Sequence, residues 1–458
     1  MSGADRSWTI APAILWFCAA LVVAVCLIDG GPQAIADRLV AKRTPVAAPA
    51  AGSFAAKPTV VADDDRPPAT PVVATGPDRS KGLFEDTCLD GPNDACKRWA
   101  MDGFAHALDG ARAGKLGRAL RVSWYGDSVV ANDEIPGRLR AKLQGELGDG
   151  GPGFVYVVEP HRFCQHEAIT RAHGGDWKTF AISTIQIPDG FYGVGGSTTE
   201  TSDGKATIKL VAGTASKVEL YFLAQPKGGT AIVTADGTEV VRADTSADAK
   251  APGYAAATIA GGAKKLEITT AGRARMFGID LENERGAVVD NLGVVSVNVK
   301  SWANSDAGHW VAELAHRQAD LVIIMIGANE AQWLGPNDTD TKLYQANYEK
   351  LLGPVRKARP DASCLVVSPT DQAEAKDGAY PSRPVMPVLV NAQRKAAHAA
   401  GCAFFSTYDW MGGKGSASKW FARGLVGSDF QHLSKQGANK LGDAVFGALT
   451  ALGAHAGR

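Results

Sequence analysis

Apolar residues first gather in Thr9–Ile28, TIAPAILWFCAALVVAVCLI, a run without a charge. About 20 residues at 1.5 Å per residue span a bilayer as a helix. The run exceeds the roughly 7–15 apolar residues of a signal peptide, so residues 1–30 predict a transmembrane anchor. A cleaved signal and a lipidated Cys26 are the rival readings, the second weakened by bulky Val25 before it. Residues 31–80 are rich in Ala, Pro, Val and Asp and carry no clear periodicity, which predicts a linker. Extended at about 3.1 Å per residue, it would reach on the order of 150 Å.

Beyond residue 80 the period changes repeatedly. Lys97–Gly114 has helical apolar spacing, ALRVSWYG up to Gly126 reads as a buried strand, and Ile135–Leu147 is helical again. From Thr179 to Glu284 short Val/Ile/Thr-rich runs alternate with Gly, Asp and Lys turns, and TADGTEV carries a hairpin Asp-Gly pair. Residues 179–285 therefore predict a β-sandwich inserted between two parts of an α/β domain, 81–178 and 286–458. After it, LGVVSVNV, DLVIIMIG, SCLVVSP and CAFFSTYD read as strands. They alternate with helical patterns at Asp306–Arg317, Tyr344–Arg359, Val388–Ala400 and Lys435–Leu452. Continuous apolar strands between helices predict a mostly parallel sheet covered on both faces.

Charge alters this picture only by exclusion. Lys+Arg and Asp+Glu both number 48, for zero formal net charge, and no basic run interleaves with aromatics. Nucleic acid is not an expected partner. Arg6 precedes the apolar run while Arg38, Lys42 and Arg43 follow it, so flanking charge does not orient the anchor. Of seven cysteines, Cys88 and Cys96 flank a turn-rich loop that a disulfide could close, with two unpaired thiols as the alternative. Cys364 and Cys402 lie in apolar runs and read as buried packing residues. Cys164, Cys364 and Cys402 have no metal-ligand spacing. His161, His166 and His173 near Cys164 match no common metal pattern either, so no metal or cofactor is expected.

Three segments carry candidate chemistry, each after an expected strand, where ligands collect in open α/β sheets. YGDSVVAND places Gly126, Asp127 and Ser128 in a tight turn before a helix, exposing the hydroxyl near N–H groups that can face an oxyanion. MIGANEA places Asn329, an amide donor, after the central apolar strand, two residues past Gly327. SDFQHLS places Asp429 three residues before His432, a spacing that lets a carboxylate hold an imidazole tautomer. Asp306 and His309 share that spacing. Their position before the MIGANEA strand, rather than after the last one, favours His432. Each piece alone is weak; the order is specific.

Together these blocks resemble those of the SGNH (GDSL-type) hydrolases, whose fold is a flavodoxin-like parallel sheet flanked by helices. The resemblance implies Ser128, His432 and Asp429 as a catalytic triad. It also implies an oxyanion hole of the Ser128 N–H, Asn329 and a glycine N–H from the LGVVSV segment. Here Ser296 stands where that glycine is expected, with Gly293 as the alternative carrier. The run GDGGPGFVYV, then a β-domain, then ENERGAVVDNLG is similar to bacterial peptidoglycan O-acetylesterases, which carry a carbohydrate-binding-like insert. That similarity implies a serine esterase removing O-acetyl groups from a cell-wall or exported polysaccharide. It further implies an extracytoplasmic site, so that with the anchor expected at Thr9–Ile28 the chain reads as a single-pass inner-membrane protein with its catalytic domain in the periplasm or outside the cell. An O-acetyltransferase with the same triad and a non-catalytic glycan-binding protein are the rival functions. Trp333, just beyond Asn329, is expected to line the cleft, and Glu330 to cap or solvate its loop. Trp177, Phe191 and Tyr192 are expected either to stack on sugars or to pack at the domain junction.

Overall fold

The computed structural model describes residues 78–453. The expected membrane anchor at Thr9–Ile28 and nearly all of the linker lie outside the described residues. Among those described, no helix is long and apolar enough to cross a membrane.

Strict alternation within each apolar strand builds the core. The α/β sheet contains β1 (Phe84–Glu85), β2 (Leu120–Gly126), β3 (Ala287–Gly293), β4 (Leu321–Met325), β5 (Ser363–Val367) and β6 (Ala403–Phe405). Its order is β1-β6-β5-β4-β2-β3, parallel except for β1, which runs antiparallel to β6. Side chains on a strand point alternately to opposite faces. Val122, Trp124, Ile323 and Leu365 therefore pack one face, against Phe104 and Leu108 of α1 (Asp102–Arg112). Leu139 of the helix Glu134–Leu147 and Leu441 of the last helix, Lys435–Gly453, join that layer. Tyr125, Ile324, Val366 and Phe404 pack the other face, against Trp310 of Ala307–Arg317, Tyr348 of Asp338–Ala358 and Leu389 of Met386–Ala399.

LGVVSVNV is only half strand. β3 stops at Gly293, and Val294–Val297 forms a turn closed by the Val297 N–H to the Val294 carbonyl at 3.2 Å. The helix expected from Tyr344 starts earlier, at Asp338, because Asn337 caps it by accepting the Asp340 N–H at 2.9 Å.

The insert is two packed antiparallel sheets. One has the order 251–263, 215–224, 274–282, 197–201, 178–181; the other 238–244, 230–235, 265–271, 205–210, 169–174. Ile208, Leu220, Val233 and Ile268 fill the space between. Asp236 and Gly237, both at positive φ, form the hairpin turn. Its strands begin before residue 179: Ile169–Gly174 belongs to the second sheet, and Gly153–Val155 pairs with 274–282. Short strands containing glycines, such as GFV, gave no period to read.

The insert is joined to the α/β core by charge as well as by Phe154, Tyr221 and Phe277. The buried Arg317 guanidinium donates to Asp290 (2.8 Å), Glu282 (2.8 Å) and Asp280 (3.1 Å). Trp177 and Tyr192 make contacts within this framework: Trp177 donates to the Lys205 carbonyl and Tyr192 accepts the Ile187 N–H. Phe191 packs edge-on to His309.

Cys88 and Cys96 form a disulfide. So do Cys364 and Cys402, which corrects their reading as packing residues. Both are fully buried, but β5 and β6 run side by side with Leu365 opposite Ala403, so the preceding residues meet. A separation of 38 residues hides that register in the sequence.

Candidate active site

The end of β2 is built for close approach. A Cβ on Gly126 would lie 2.2 Å from Cγ2 of Val130, so only glycine lets the chain turn from strand into the short helix Ser128–Ala131. Asp127 caps that helix: Oδ1 accepts the Val129 N–H at 3.0 Å, and Oδ2 accepts the Ala328 N–H at 3.2 Å. Its buried carboxyl is pushed up to about 6 by loss of solvent, against the pull of those amide donors.

Ser128 Oγ lies 2.7 Å from Nε2 of His432, and the other ring nitrogen, Nδ1, lies 2.6 Å from Oδ2 of Asp429. Asp429 Oδ1 also accepts the backbone N–H groups of Gln431 and His432, each at 3.0 Å. Burial works to raise the Asp429 pKa, but the His432 ring and these amides outweigh it and hold the carboxyl at about 2. The hydrogen bond from Asp429 raises the His432 pKa above its ordinary value, against partial desolvation. An imidazole so held keeps its proton on Nδ1 and presents a lone pair at Nε2.

Asn329 follows β4, and one N–H of its amide donates to the Val297 carbonyl at 2.8 Å. Among the described residues nothing accepts the second N–H, which leaves it free for a ligand. Ser296 sits in the same Val294–Val297 turn with φ +64° and is exposed. A positive φ at the third turn position favours glycine, which explains a glycine preference here; serine adopts it at a strain cost. The N–H of Gly293, the other candidate donor, is engaged by Oδ1 of Asn291 at 3.0 Å. Gly327, at φ +144°, packs so that a Cβ would lie 2.5 Å from Nε2 of Gln393.

The competing pair is elsewhere. Asp306 caps Ala307–Arg317 by accepting the His309 N–H at 2.8 Å, and the His309 ring is buried against Phe191 and Phe277.

Residues 258–440 match the model of the GDSL-like lipase/acylhydrolase family. The stretch holds Asn329, Asp429 and His432 and omits Ser128. A solved structure described as a peptidoglycan O-acetylesterase in action superposes with TM-score 0.66 at 25% identity, covering 77% of this chain and 96% of that one. The chain carries a GDSL-like acylhydrolase domain. It is accordingly a carboxylic ester hydrolase of the acylhydrolase type. A family two carbohydrate esterase from Clostridium thermocellum also aligns, at 10% identity over 59% of this chain and 97% of that one. Its TM-score of 0.25 carries no further argument. No curated protein matches the chain.

Around the triad, the hydrolase has a glutamine lattice that sequence reasoning missed. Gln332 donates to both Gln372 and Gln431, and Gln372 donates to the Ala328 carbonyl at 2.9 Å. It links the Asn329 loop to the His432 turn, and no sequence spacing signals it. Glu330 does not solvate its loop: it is fully buried, accepts the Val299 N–H at 2.7 Å, and is pushed up to about 7 by burial. Trp333 is 56% exposed and lines a 220 Å³ cavity with Val299, Lys300, Leu343 and Tyr344. Among the described residues no cluster of His, Cys, Asp and Glu could hold a metal ion.

Proposed function

We propose that this hydrolase removes O-acetyl groups from a cell-wall or exported polysaccharide, peptidoglycan above all, through a Ser128–His432–Asp429 acyl-enzyme mechanism. The observation that carries it is the continuous hydrogen-bonded line from Ser128 Oγ through His432 to Asp429. His432 Nε2 takes the Oγ proton as Oγ attacks the acetyl carbonyl, and Asp429 stabilises the imidazolium. The free N–H of Asn329 and the backbone N–H groups of Ser128 and Ser296 stabilise the oxyanion. As the tetrahedral intermediate collapses, His432 returns the proton to the leaving sugar oxygen. Water, deprotonated by the same nitrogen, then releases acetate and frees Ser128.

The His432 side chain is about half-exposed, which supports water rather than a second sugar as the acyl acceptor. The similarity to a peptidoglycan O-acetylesterase supports an acetylated glycan as substrate. Two disulfides support an oxidising compartment, and with it a periplasmic or extracellular site behind an inner-membrane anchor at Thr9–Ile28.

The decisive experiment measures acetate released from isolated, acetylated peptidoglycan by wild type, Ser128→Ala, His432→Ala and His309→Ala. Release should vanish in the first two variants and persist in the third. Full release by Ser128→Ala would reject the mechanism, and acetyl transfer to an added glycan in place of release would reassign the reaction.

A further inference from the structure

The turn that carries Asp429 and His432 is anchored by one apolar side chain. Residues 427–432 close on themselves: the Gly427 N–H donates to the His432 carbonyl at 2.7 Å, and the Phe430 N–H to the Gly427 carbonyl at 3.0 Å. The Asp429 and His432 side chains are 51% and 41% exposed. Of the six residues only Phe430 is buried. Gln431 adds two polar ties to the body of the domain, from Gln332 at 3.1 Å and from the Thr370 hydroxyl at 3.4 Å. The apolar tie is Phe430's alone.

Phe430 takes an unfavourable backbone conformation there. Its φ is +54°, where the Cβ of an L residue crowds its own carbonyl group and which bulky side chains rarely adopt. Such strain persists only where surrounding contacts over-determine it, and it gathers at functional sites. Here the contacts come from two rings. Tyr380 stacks on Phe430 with centroids 4.5 Å apart and planes 20° from parallel, and Phe421 meets it at 4.6 Å. Among buried apolar residues Phe430 clusters with Ala373 and Ala417, apart from the cores on either face of the sheet. Tyr380 and Phe421 are themselves 44% and 42% exposed, so the strained residue is held by rings at the surface. The two rings brace each other's segments as well. The Ser418 hydroxyl donates to the Tyr380 carbonyl, and Ser418 and Phe421 share the helix Ser416–Ala422.

We propose that Tyr380 and Phe421 are positioning residues for the acyl transfer: by clamping Phe430 they hold the strained turn that sets the Asp429 carboxylate against the His432 ring. The proposal rests on the Ser128–His432–Asp429 reading and adds what keeps its acid–base pair in line. Packed aromatic pairs stabilise beyond the area they bury, and two such pairs offset the strain at Phe430. Without them the turn relaxes toward an ordinary φ. The 2.6 Å bond between Asp429 Oδ2 and His432 Nδ1 then opens, and the ring loses the partner that fixes its tautomer.

The test follows hydrolysis of 4-nitrophenyl acetate, an ester too small to use a sugar platform, across pH. It compares wild type with Tyr380→Ala, Phe421→Ala, the double variant and Tyr380→Phe. Each alanine should lower kcat by about fivefold with KM unchanged, and Tyr380→Phe, which keeps the ring, should stay within about twofold of wild type. The double variant should lose more than either single one. The limb that reports His432 should move to lower pH in the alanine variants, since the Asp429 bond raises that pKa; Asp127, which also bears on the ring, is left in place. A limb that does not move overturns the clamp, and a fall in kcat without it marks a structural role alone. A loss confined to KM for an acetylated glycan makes the rings a sugar platform and also overturns the clamp. Hydrolysis that survives Ser128→Ala overturns the triad reading and the clamp with it.

Discussion

Asp127 Oδ2 accepts the N–H of Ala328 at 3.2 Å, tying the turn that presents Ser128 to the loop that presents Asn329. The two segments are 201 residues apart in sequence. The same carboxyl caps the Ser128 helix, so one buried side chain sets the separation of nucleophile and amide donor.

Asp127→Ala therefore leaves two buried N–H groups without their acceptor. Stability should fall by about 1–3 kcal/mol in urea unfolding. On 4-nitrophenyl acetate kcat should fall more than KM rises, because the loss is one of alignment. Unchanged kcat with reduced stability would make Asp127 a structural cap only.

The pH profile follows from the His432–Asp429 pair. His432 must be neutral to accept the serine proton, and its pKa is raised above the ordinary 6.5 by the Asp429 hydrogen bond. A raised pKa keeps the ring protonated to higher pH, so kcat/KM should climb through a limb above pH 6.5. Asp429 itself, held at about 2, is ionised throughout. Asp429→Asn removes the anion, so the limb should move to lower pH while the plateau falls by several powers of ten.

Ser296 pays for its left-handed backbone. Glycine there relieves about 1–2 kcal/mol of steric strain but adds about 0.4–1 kcal/mol of unfolded-chain entropy. Ser296→Gly should thus keep activity with a melting temperature equal to or slightly above wild type. Ser296→Val, β-branched at φ +64°, should lose at least tenfold in kcat as the turn moves its N–H away.

The disulfides should differ in weight. Loop-closure entropy grows with the enclosed length, and separations of 38 and 8 residues make the Cys364–Cys402 bridge worth about 1.4 kcal/mol more than Cys88–Cys96. Denaturant unfolding of the two double-alanine variants, each with and without reductant, measures the difference.

Arg317 stands opposite Asp280, Glu282 and Asp290 with almost no solvent. Arg317→Met should destabilise by about 3–5 kcal/mol, since it strands buried carboxylates. Calorimetry should show the loss even where catalysis at Ser128 persists.

Much of this was local enough for the chain to announce. Apolar strands such as LVIIM and SCLVV are buried on both faces, so their composition alone declares a covered parallel sheet. Gly126, Asp127 and Ser128 are adjacent, and Asp429 and His432 are three residues apart, so those motifs survive without coordinates. What depends on register between distant strands did not: the Cys364–Cys402 bond, the Asp127–Ala328 tie and the glutamine lattice exist only because β2, β4, β5 and β6 lie side by side. That the Gly293 N–H is engaged by Asn291 likewise shows only in the fold. A sequence records which donors a chain owns; only the fold decides which of them remain free.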